Sequence, residues 1–194
     1  MSHVEPIERV VDLLDPTANI ILNMSVEEAL ARVGTGQPHA VRAIDGQFAL
    51  VHRNGKQIRM ARSIGRPLRY FIAKKAEGPM LVTADRIDAI AAFLEKEGLI
   101  DQFHPSYTRM VPAHYVTELA LVGCPDPNPT TTRFFTPKRN KWSTDLDEIG
   151  LHYMTVLQKE INHWLDTLNA KEPIGVFFSG GIDSGSLLVL LHHS

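Results

Sequence analysis

The sequence predicts a two-part protein: an antiparallel α+β section followed by the beginning of an α/β unit. In the first part, Asn54 and Gly55 separate two runs of alternating apolar residues, which is the strongest short-range signal for a β-hairpin. Near the other end, the apolar run at residues 174–178 stops at Ser-Gly-Gly, and a second apolar run follows at residues 187–191. This order is typical of a buried strand, a glycine turn and a helix.

Composition and charge limit the class of protein. The 194 residues suffice for one ordinary domain or two small ones, and 44% of them are apolar, enough for a core. The net charge of −2 gives no electrostatic reason to expect nucleic acid or an anionic membrane as a partner. Cys124 is the single cysteine, which excludes an internal disulfide and fits a reducing cytoplasm. We find no apolar stretch of membrane-spanning length, and the polar start at residues 1–9 is no signal peptide.

The first part of the chain is predicted to open with helices. Val10, Val11 and the leucines after them predict a short helix over residues 6–14, ended near Pro16, and a short strand follows at residues 20–22. A second helix starts at Ser25, because Glu28 three residues later completes a capping box. Gly34 and Gly36 are expected to end it.

From Ala43 onward the pattern changes to strands. Two hairpins are predicted, and their strands lie at residues 47–52 and 57–61, then 68–73 and 79–83, the second pair turning at Glu77 and Gly78. A helix over residues 87–94 is expected to begin at Asp85 as its cap. The remaining predictions are one or two strands within 107–121, a proline-rich loop at 124–129 and a short strand at 133–136.

A basic, irregular segment is predicted to link the two parts. We therefore expect a first domain over residues 1–136, a linker over 137–142 and a second domain over 143–194. A helix starts after the linker, with Thr144 and Asp147 resembling a capping box. Its apolar stripe at helical spacing is expected to pack on the sheet that begins at Ile174, and comprises Ile149, Met154, Leu157, Ile161, Trp164, Leu165 and Leu168.

The glycine turn carries the chemistry that the sequence suggests most clearly. Backbone N–H groups at Gly180 and Gly181 can approach an anion closely, and the following helix adds its N-terminal dipole. Hydroxyls of Ser179, Ser184 and Ser186 can add donors. A carboxylate beside a phosphate site repels it unless a cation lies between them, so Asp183 indicates Mg²⁺. A serine-rich turn that binds nothing is the alternative.

The segment Ser-Gly-Gly-Ile-Asp-Ser at residues 179–184 resembles the SGGxDS loop of the ATP pyrophosphatases. It lacks the lysine of a Walker loop. Those enzymes cleave ATP between its α- and β-phosphates and hold pyrophosphate in this loop. The resemblance implies ATP and Mg²⁺ as cofactors, Asp183 as the residue that organises the metal, and a pyrophosphate-binding set of Ser179, Gly180, Gly181, Ile182, Asp183, Ser184 and Gly185.

Further segments resemble the asparagine synthetases. Residues 46–51 are similar to the family's G-x-F-A strand, and residues 61–70 to its A-R-D-x-x-G-x-x-P-L-Y-Y segment. Residues 82–85, 111–116 and 133–137 are similar to its S-S-E/D, L-P-P-G-H and R-Y-Y-x-P segments. Each piece alone is weak, but their order and spacing match from about residue 43 to the end. The implied fold is an antiparallel α+β sandwich of the N-terminal-nucleophile glutaminase type. The first strand and flanking helices of a doubly wound α/β ATP-pyrophosphatase domain would follow.

The resemblance does not carry over the family's glutaminase chemistry. The family's nucleophilic cysteine directly follows Met1, whereas this chain has Ser2 there, and Cys124 lies far from it. An N-terminal serine is a nucleophile in other amidohydrolases. However, residues 3–9 are predicted to enter a helix, and the glutamine-binding R-G-P-D and N-G-E segments have no match. We expect Ser2 to be inactive and Arg62 and Ser63 to keep packing roles, although Ser63 replaces the usual Asp. β-Lactam synthetases and lasso-peptide cyclases are similar, since they keep only the adenylating half.

The implied reaction is ATP-dependent amide formation through an acyl-adenylate, with release of AMP and pyrophosphate. The substrates would be a small-molecule or peptide carboxylate and an amine. Two alternatives stay open: a glutamine-dependent asparagine synthetase that uses Ser2, and a non-catalytic nucleotide-binding or regulatory module. One strand and two helices cannot complete a doubly wound sheet, so we expect the other binding sites beyond Ser194 and no catalysis by residues 1–194 alone. A homo-oligomer also stays open.

Overall fold

The computed structural model describes residues 4–74, 78–139, 141–168 and 173–194. They form a mixed α/β structure with mostly antiparallel sheets. The chain divides into two compact units, Met1–Pro137 and Lys138–Ser194, called unit 1 and unit 2 below.

Unit 1 contains the strands and three of the helices found in these ranges. The strands are β1 Glu5–Pro6, β2 Arg9–Asp12, β3 Ile20–Ile21, β4 Gly46–Gln47, β5 Ala49–Asn54, β6 Gln57–Arg62, β7 Arg69–Ala73, β8 Met80–Ala84, β9 Arg109–Met110, β10 Tyr115–Ala120, β11 Val122–Cys124 and β12 Thr130–Arg133. The helices are α1 Val26–Gly34, α2 Pro38–Arg42 and α3 Ile87–Lys96. Short 3₁₀ turns lie at Pro16–Ala18, Ile100–Gln102 and Pro105–Tyr107.

Two four-stranded sheets organise unit 1. One has the strand order β12-β10-β6-β5 and is antiparallel throughout, and the other has the order β2-β8-β7-β9 with β2 parallel to β8. Both predicted hairpins are confirmed as the pairs β5–β6 and β7–β8. In the first, Gly55 has a φ of 57°, which glycine adopts readily. In the second turn, Glu77 lies outside the described residues, and Gly78 has a φ of 114°.

The core of unit 1 consists of three clusters of buried side chains. Side chains of both sheets, among them Met60 and Leu119 from one and Tyr70 and Leu81 from the other, form one buried cluster. A second cluster joins α1 and α2 to β5, β6 and β10, and a third joins α3 to β7 and β8. The helices therefore cover the outer faces of two sheets that pack face to face.

The predicted helix at residues 6–14 is wrong. This segment is extended: Arg9 pairs with Met80 and Asp12 with Thr83 in a parallel ladder with β8. Val10 packs against the cluster between the sheets, whereas Val11 packs against the cluster under α3. Both faces of β2 are thus partly buried, so its apolar residues do not alternate with polar ones. In a short segment, a strand with two buried faces and a helix have similar patterns of apolar residues.

Some of the other predictions for unit 1 are confirmed and others are wrong. The cap of α1 is confirmed, because the Ser25 hydroxyl accepts a hydrogen bond from the Glu28 N–H at 3.1 Å, and the strand predicted at residues 20–22 is β3. The predicted cap at Asp85 is wrong, since Arg86 holds that position without a side-chain hydrogen bond. The last strand is β12, three residues earlier than predicted, and α2 is a helix that was not predicted.

Unit 2 contains two helices in its described residues, α4 Leu146–Leu165 and α5 Ile182–His192. The cap of α4 is Asp145 and not Thr144, since the Asp145 carboxylate accepts hydrogen bonds from the N–H groups of Asp147 and Glu148. A carboxylate there also favours the helix dipole. Along the predicted apolar stripe, Ile161 is buried, Met154, Leu157, Leu165 and Leu168 are half-buried, and Ile149 and Trp164 are exposed.

The predicted strand at residues 174–178 is not observed. Residues 173–179 form no ladder with the described chain, and the Phe177 side chain is 100% exposed. A β-strand needs a hydrogen-bonded neighbour, and the described part of unit 2 contains no strand to supply one. The helix predicted after the glycine turn is confirmed as α5. Among the described helices, none combines the length and the apolar character that a membrane-spanning helix requires.

Candidate phosphate-binding loop

The predicted phosphate loop is a sharp entry into helix α5. Gly180 has a φ of 80° and lies directly before Gly181, the N-cap of the helix. A side chain rarely adopts that φ. A Cβ added at Gly180 would meet no atom within 4 Å. Glycine is therefore favoured at this position by its backbone conformation and not by lack of space. The surface next to the turn is open.

Two serine hydroxyls hold the ends of this loop together. The Ser179 and Ser184 oxygens lie 3.0 Å apart, and the Ser184 hydroxyl donates to the Gly181 carbonyl at 3.1 Å. The Ser184 oxygen also accepts from the Ser179 N–H at 3.3 Å. Ser186 donates to the Ile182 carbonyl at 2.9 Å. These hydroxyls fix the shape of the loop, so the donors left for a ligand are mainly backbone amides.

The amides at the start of α5 are available to an anion. Gly181 provides no side-chain cap, and the N–H groups of Gly180, Ile182, Asp183 and Ser184 make no hydrogen bond to any described residue. The N-termini of α1 and α4 differ, because Ser25 and Asp145 cap them. Unpaired N–H groups together with the helix dipole favour an anion at the N-terminus of α5.

Asp183 lies in the exposed first turn of α5. No group of three or more His, Cys, Asp or Glu residues in the described chain could form a metal centre by itself. Mg²⁺ commonly takes one or two carboxylates and completes its octahedron with water and substrate phosphates. A single carboxylate next to unpaired amides therefore fits Mg²⁺ bound together with a phosphate ligand. It does not fit an all-protein metal cage.

Residues 179–183 are all exposed, so a ligand has direct access to the loop. Exposure also keeps the local dielectric constant high, which weakens each charge–charge contact. We therefore expect the loop in this arrangement to bind anions with modest affinity.

Arg62 and Ser63 connect three of the segments that resemble asparagine synthetases. The Arg62 side chain is buried, and its Nε donates to the Val111 carbonyl at 2.6 Å. Its described hydrogen-bond acceptors are all uncharged, and burial together with the charge of Arg69 lowers its pKa. The Ser63 oxygen accepts from the Phe48 N–H at 3.0 Å. Both residues thus have the packing roles that the sequence suggests.

His114 has a left-handed backbone conformation. It is the fourth residue of Val-Pro-Ala-His-Tyr, where the L-P-P-G-H pattern has Gly, and its φ is 65°. Positive φ is uncommon for a residue with a side chain. Its N–H donates to the Arg62 carbonyl at 3.1 Å, and its carbonyl accepts from the Phe134 N–H at 2.9 Å. The turn therefore joins β6, the start of β10 and the segment after β12.

Ser2, at the position of the family's glutaminase nucleophile, lies outside the described residues. Cys124 is the last residue of β11, opposite Glu5 of β1, and not part of the predicted loop. Residues 5 and 6 are extended, so the expected helix entry is no argument against a nucleophile. The absence of the glutamine-binding segments from the sequence remains one. No family model and no curated protein matches this chain.

Proposed function

We propose that this chain is part of an ATP-dependent amide-forming enzyme of the asparagine synthetase type, and that its loop at residues 179–185 holds the pyrophosphate portion of ATP. The observation that carries the proposal is the N-terminus of α5, where four backbone amides are unpaired among the described residues and Asp183 lies in the same turn. The proposed reaction class is the one implied by the segments that resemble the asparagine synthetases and follow one another in the same order as in that family.

In the proposed reaction, a carboxylate oxygen of the substrate attacks the α-phosphorus of ATP. The bond from that phosphorus to the bridging oxygen breaks, and pyrophosphate leaves with the electron pair. An amine then attacks the acyl carbon, the bond to AMP breaks, and the amine's proton passes to solvent. The unpaired amides of Ile182, Asp183 and Ser184 would stabilise the charge that develops on the leaving pyrophosphate. Mg²⁺ held at Asp183 would neutralise part of the same charge.

Unit 1 takes a structural role in this proposal, without ammonia chemistry. The hydrogen bonds of Arg62, Ser63 and His114 support it, because they join the segments that the resemblance identifies. We expect the chain to release no ammonia from glutamine. Glutamine turnover that is lost in a Ser2→Ala variant would instead establish the glutamine-dependent alternative.

The loop assignment is tested by calorimetric titration of the 194-residue chain with pyrophosphate, with Mg²⁺ and then with a chelator. With Mg²⁺, we expect Asp183→Asn to weaken pyrophosphate binding about tenfold. With chelator, we expect Asp183→Asn to bind pyrophosphate more tightly than the unmodified chain, because the variant removes the repulsion between carboxylate and phosphate. Asp147→Asn is the matched control, since Asp147 lies in the exposed first turn of α4.

Three results would contradict the assignment. The first is the absence of pyrophosphate binding to the unmodified chain. The second is equal Mg²⁺-dependent affinity in the unmodified chain and in Asp183→Asn. An equal loss of affinity in Asp147→Asn would show a nonspecific charge effect and count against the loop as well.

A further inference from the structure

A groove of about 650 Å³ lies along β7 in unit 1, independent of the phosphate loop. Three segments line it: β7 with the following Lys74, part of residues 102–109, and Asp126 with Pro127. Its volume is within the range of sites that bind small molecules or short peptides. Nothing in the sequence marked it, because its walls come together only in the fold.

The outer edge of β7 is only partly covered. This strand pairs with β8 along its whole length, but with β9 only at Arg69 and Tyr70. Peptide groups of a strand face its two neighbours alternately. The Leu68 carbonyl accepts from the Val111 N–H at 2.9 Å on the β9 side. By alternation, Tyr70, Ile72 and Lys74 also direct their peptide groups to this edge.

A side chain satisfies the edge at Lys74. The Lys74 N–H donates to Gln102 Oε1 at 2.9 Å, and Gln102 Nε2 donates to the Lys74 carbonyl at 2.6 Å. The Gln102 amide thus makes the pair of hydrogen bonds that a peptide unit of a neighbouring strand would make. This edge accepts amide partners in that geometry.

The peptide groups of Ile72 are left without a partner among the described residues. Continuing the β9 register would bring Tyr107 opposite Ile72, but the Tyr107 N–H donates to the His104 carbonyl at 2.9 Å instead. Because of this turn, the chain does not pair with β7 at Ile72, and the groove occupies the space that is left. The N–H and carbonyl of Ile72 therefore lie at its base as one unfilled position of a sheet ladder.

Charge differs between the two ends of the groove. Lys74 forms an ion pair with Asp126 at 3.5 Å. At the other end, where β9 begins, the exposed Arg109 lines the groove and has no ion-pair partner among the described residues. An anionic group of a ligand is therefore favoured at the Arg109 end.

We propose that this groove binds the C-terminal end of an extended peptide, which adds to β7 as a short antiparallel strand and places its free carboxylate at Arg109. The direction follows from β9, which is antiparallel to β7. A segment that occupies the position opposite Ile72 in the same direction ends beside Thr108 and Arg109. Backbone pairing at Ile72 provides recognition that is independent of sequence, and the arginine selects a chain terminus.

The test uses fluorescence polarisation with the full chain and a labelled pentapeptide, Gly-Ser-Thr-Val-Val, that has a free C-terminal carboxylate. We expect saturable binding, weakened about tenfold by C-terminal amidation or by Arg109→Gln. Arg133→Gln is the matched control, because Arg133 lies over the Tyr115 ring and outside the groove. N-methylation of the last two peptide units should also abolish binding, since it removes the donors for the Ile72 carbonyl.

Amide hydrogen exchange adds a readout that charge alone does not change. On peptide binding, the exchange of the Ile72 N–H should slow, while that of Phe71, which faces β8, stays the same. No saturable binding below about 1 mM would overturn the proposal. So would equal binding of the acid and the amide, or of the plain and the N-methylated peptide.

Discussion

Units 1 and 2 differ in what holds their elements in place. In unit 1, side chains such as Met60, Leu81 and Leu119 are completely buried between or beneath the sheets. In the described part of unit 2, only Ile161 and Leu190 are buried, while Phe177 and four large apolar residues of α5 are exposed. The conformation of unit 1 thus depends on packing, whereas the loop of unit 2 depends on two glycines and a local serine network. A loop can therefore have a defined conformation without a surrounding core when nearby residues determine its shape.

The largest expected effect separates the two units by stability. Leu81→Ala should lower the free energy of unfolding of unit 1 by about 2–5 kcal/mol, because it leaves a cavity between the sheets. Leu188→Ala, at a side chain that is 42% exposed, should cost less than about 1 kcal/mol. Both tryptophans, Trp142 and Trp164, belong to unit 2. In urea denaturation, tryptophan fluorescence therefore reports on unit 2 alone, and circular dichroism, to which both units contribute, adds the transition of unit 1.

The comparison fails if Leu81→Ala shifts both transitions equally. That result would mean that the two units unfold together and that packing in unit 1 also sets the stability of unit 2.

A smaller effect is expected from two glycines with the same backbone constraint. Gly55 and Gly180 have φ values of 57° and 80°, and a Cβ added at either meets nothing within 4 Å. Alanine at each should therefore cost about 1–2 kcal/mol of backbone strain. Gly55→Ala should lower the unfolding free energy of unit 1. Gly180→Ala should leave that value unchanged and weaken pyrophosphate binding, measured by calorimetry.

These glycine variants test whether the residues of the loop are sufficient to determine its conformation. Unchanged pyrophosphate affinity in Gly180→Ala would show that the left-handed turn is dispensable for binding. A drop in the stability of unit 1 in the same variant would contradict the independence of the two units.

The smallest expected effect is a pH dependence within unit 1. Desolvation raises the pKa of Asp12 despite hydrogen bonds from Thr83 and the Leu14 N–H. The folded state therefore holds this proton more tightly, and the contribution to stability is present below the ordinary value of 3.8 and lost as pH rises through the folded pKa. Asp12→Asn should be more stable than the unmodified chain at neutral pH, and the difference should vanish near pH 3, as followed by denaturation monitored by circular dichroism.

Asp15 provides a control of opposite sign. Hydrogen bonds from the Thr17 hydroxyl and N–H lower the pKa of its exposed carboxyl. Its contribution is present at neutral pH and lost as pH falls through the folded pKa. Asp15→Asn should thus be less stable than the unmodified chain at neutral pH. The same sign for both variants would refute these two assignments.

Predictions from sequence succeed here where the structure is decided locally. The turn at Gly55, the cap at Ser25 and the entry into α5 each depend on residues within a few positions of one another. The helix predicted over residues 6–14 fails because pairing of β2 with β8, distant in sequence, overrides local preference. The groove beside β7 was unpredictable for the same reason, since it requires Gln102 to meet Lys74 across the fold.

The central claim, that α5 begins with an anion site, is tested most directly by nuclear magnetic resonance. Titration of the ¹⁵N-labelled chain with Mg²⁺ and pyrophosphate should shift the amide signals of Gly180, Ile182, Asp183 and Ser184, and leave Glu28 of α1 and Glu148 of α4 nearly unchanged, because caps already occupy those amides. Shifts of equal size at all three helix N-termini, or none at the loop, would contradict the account.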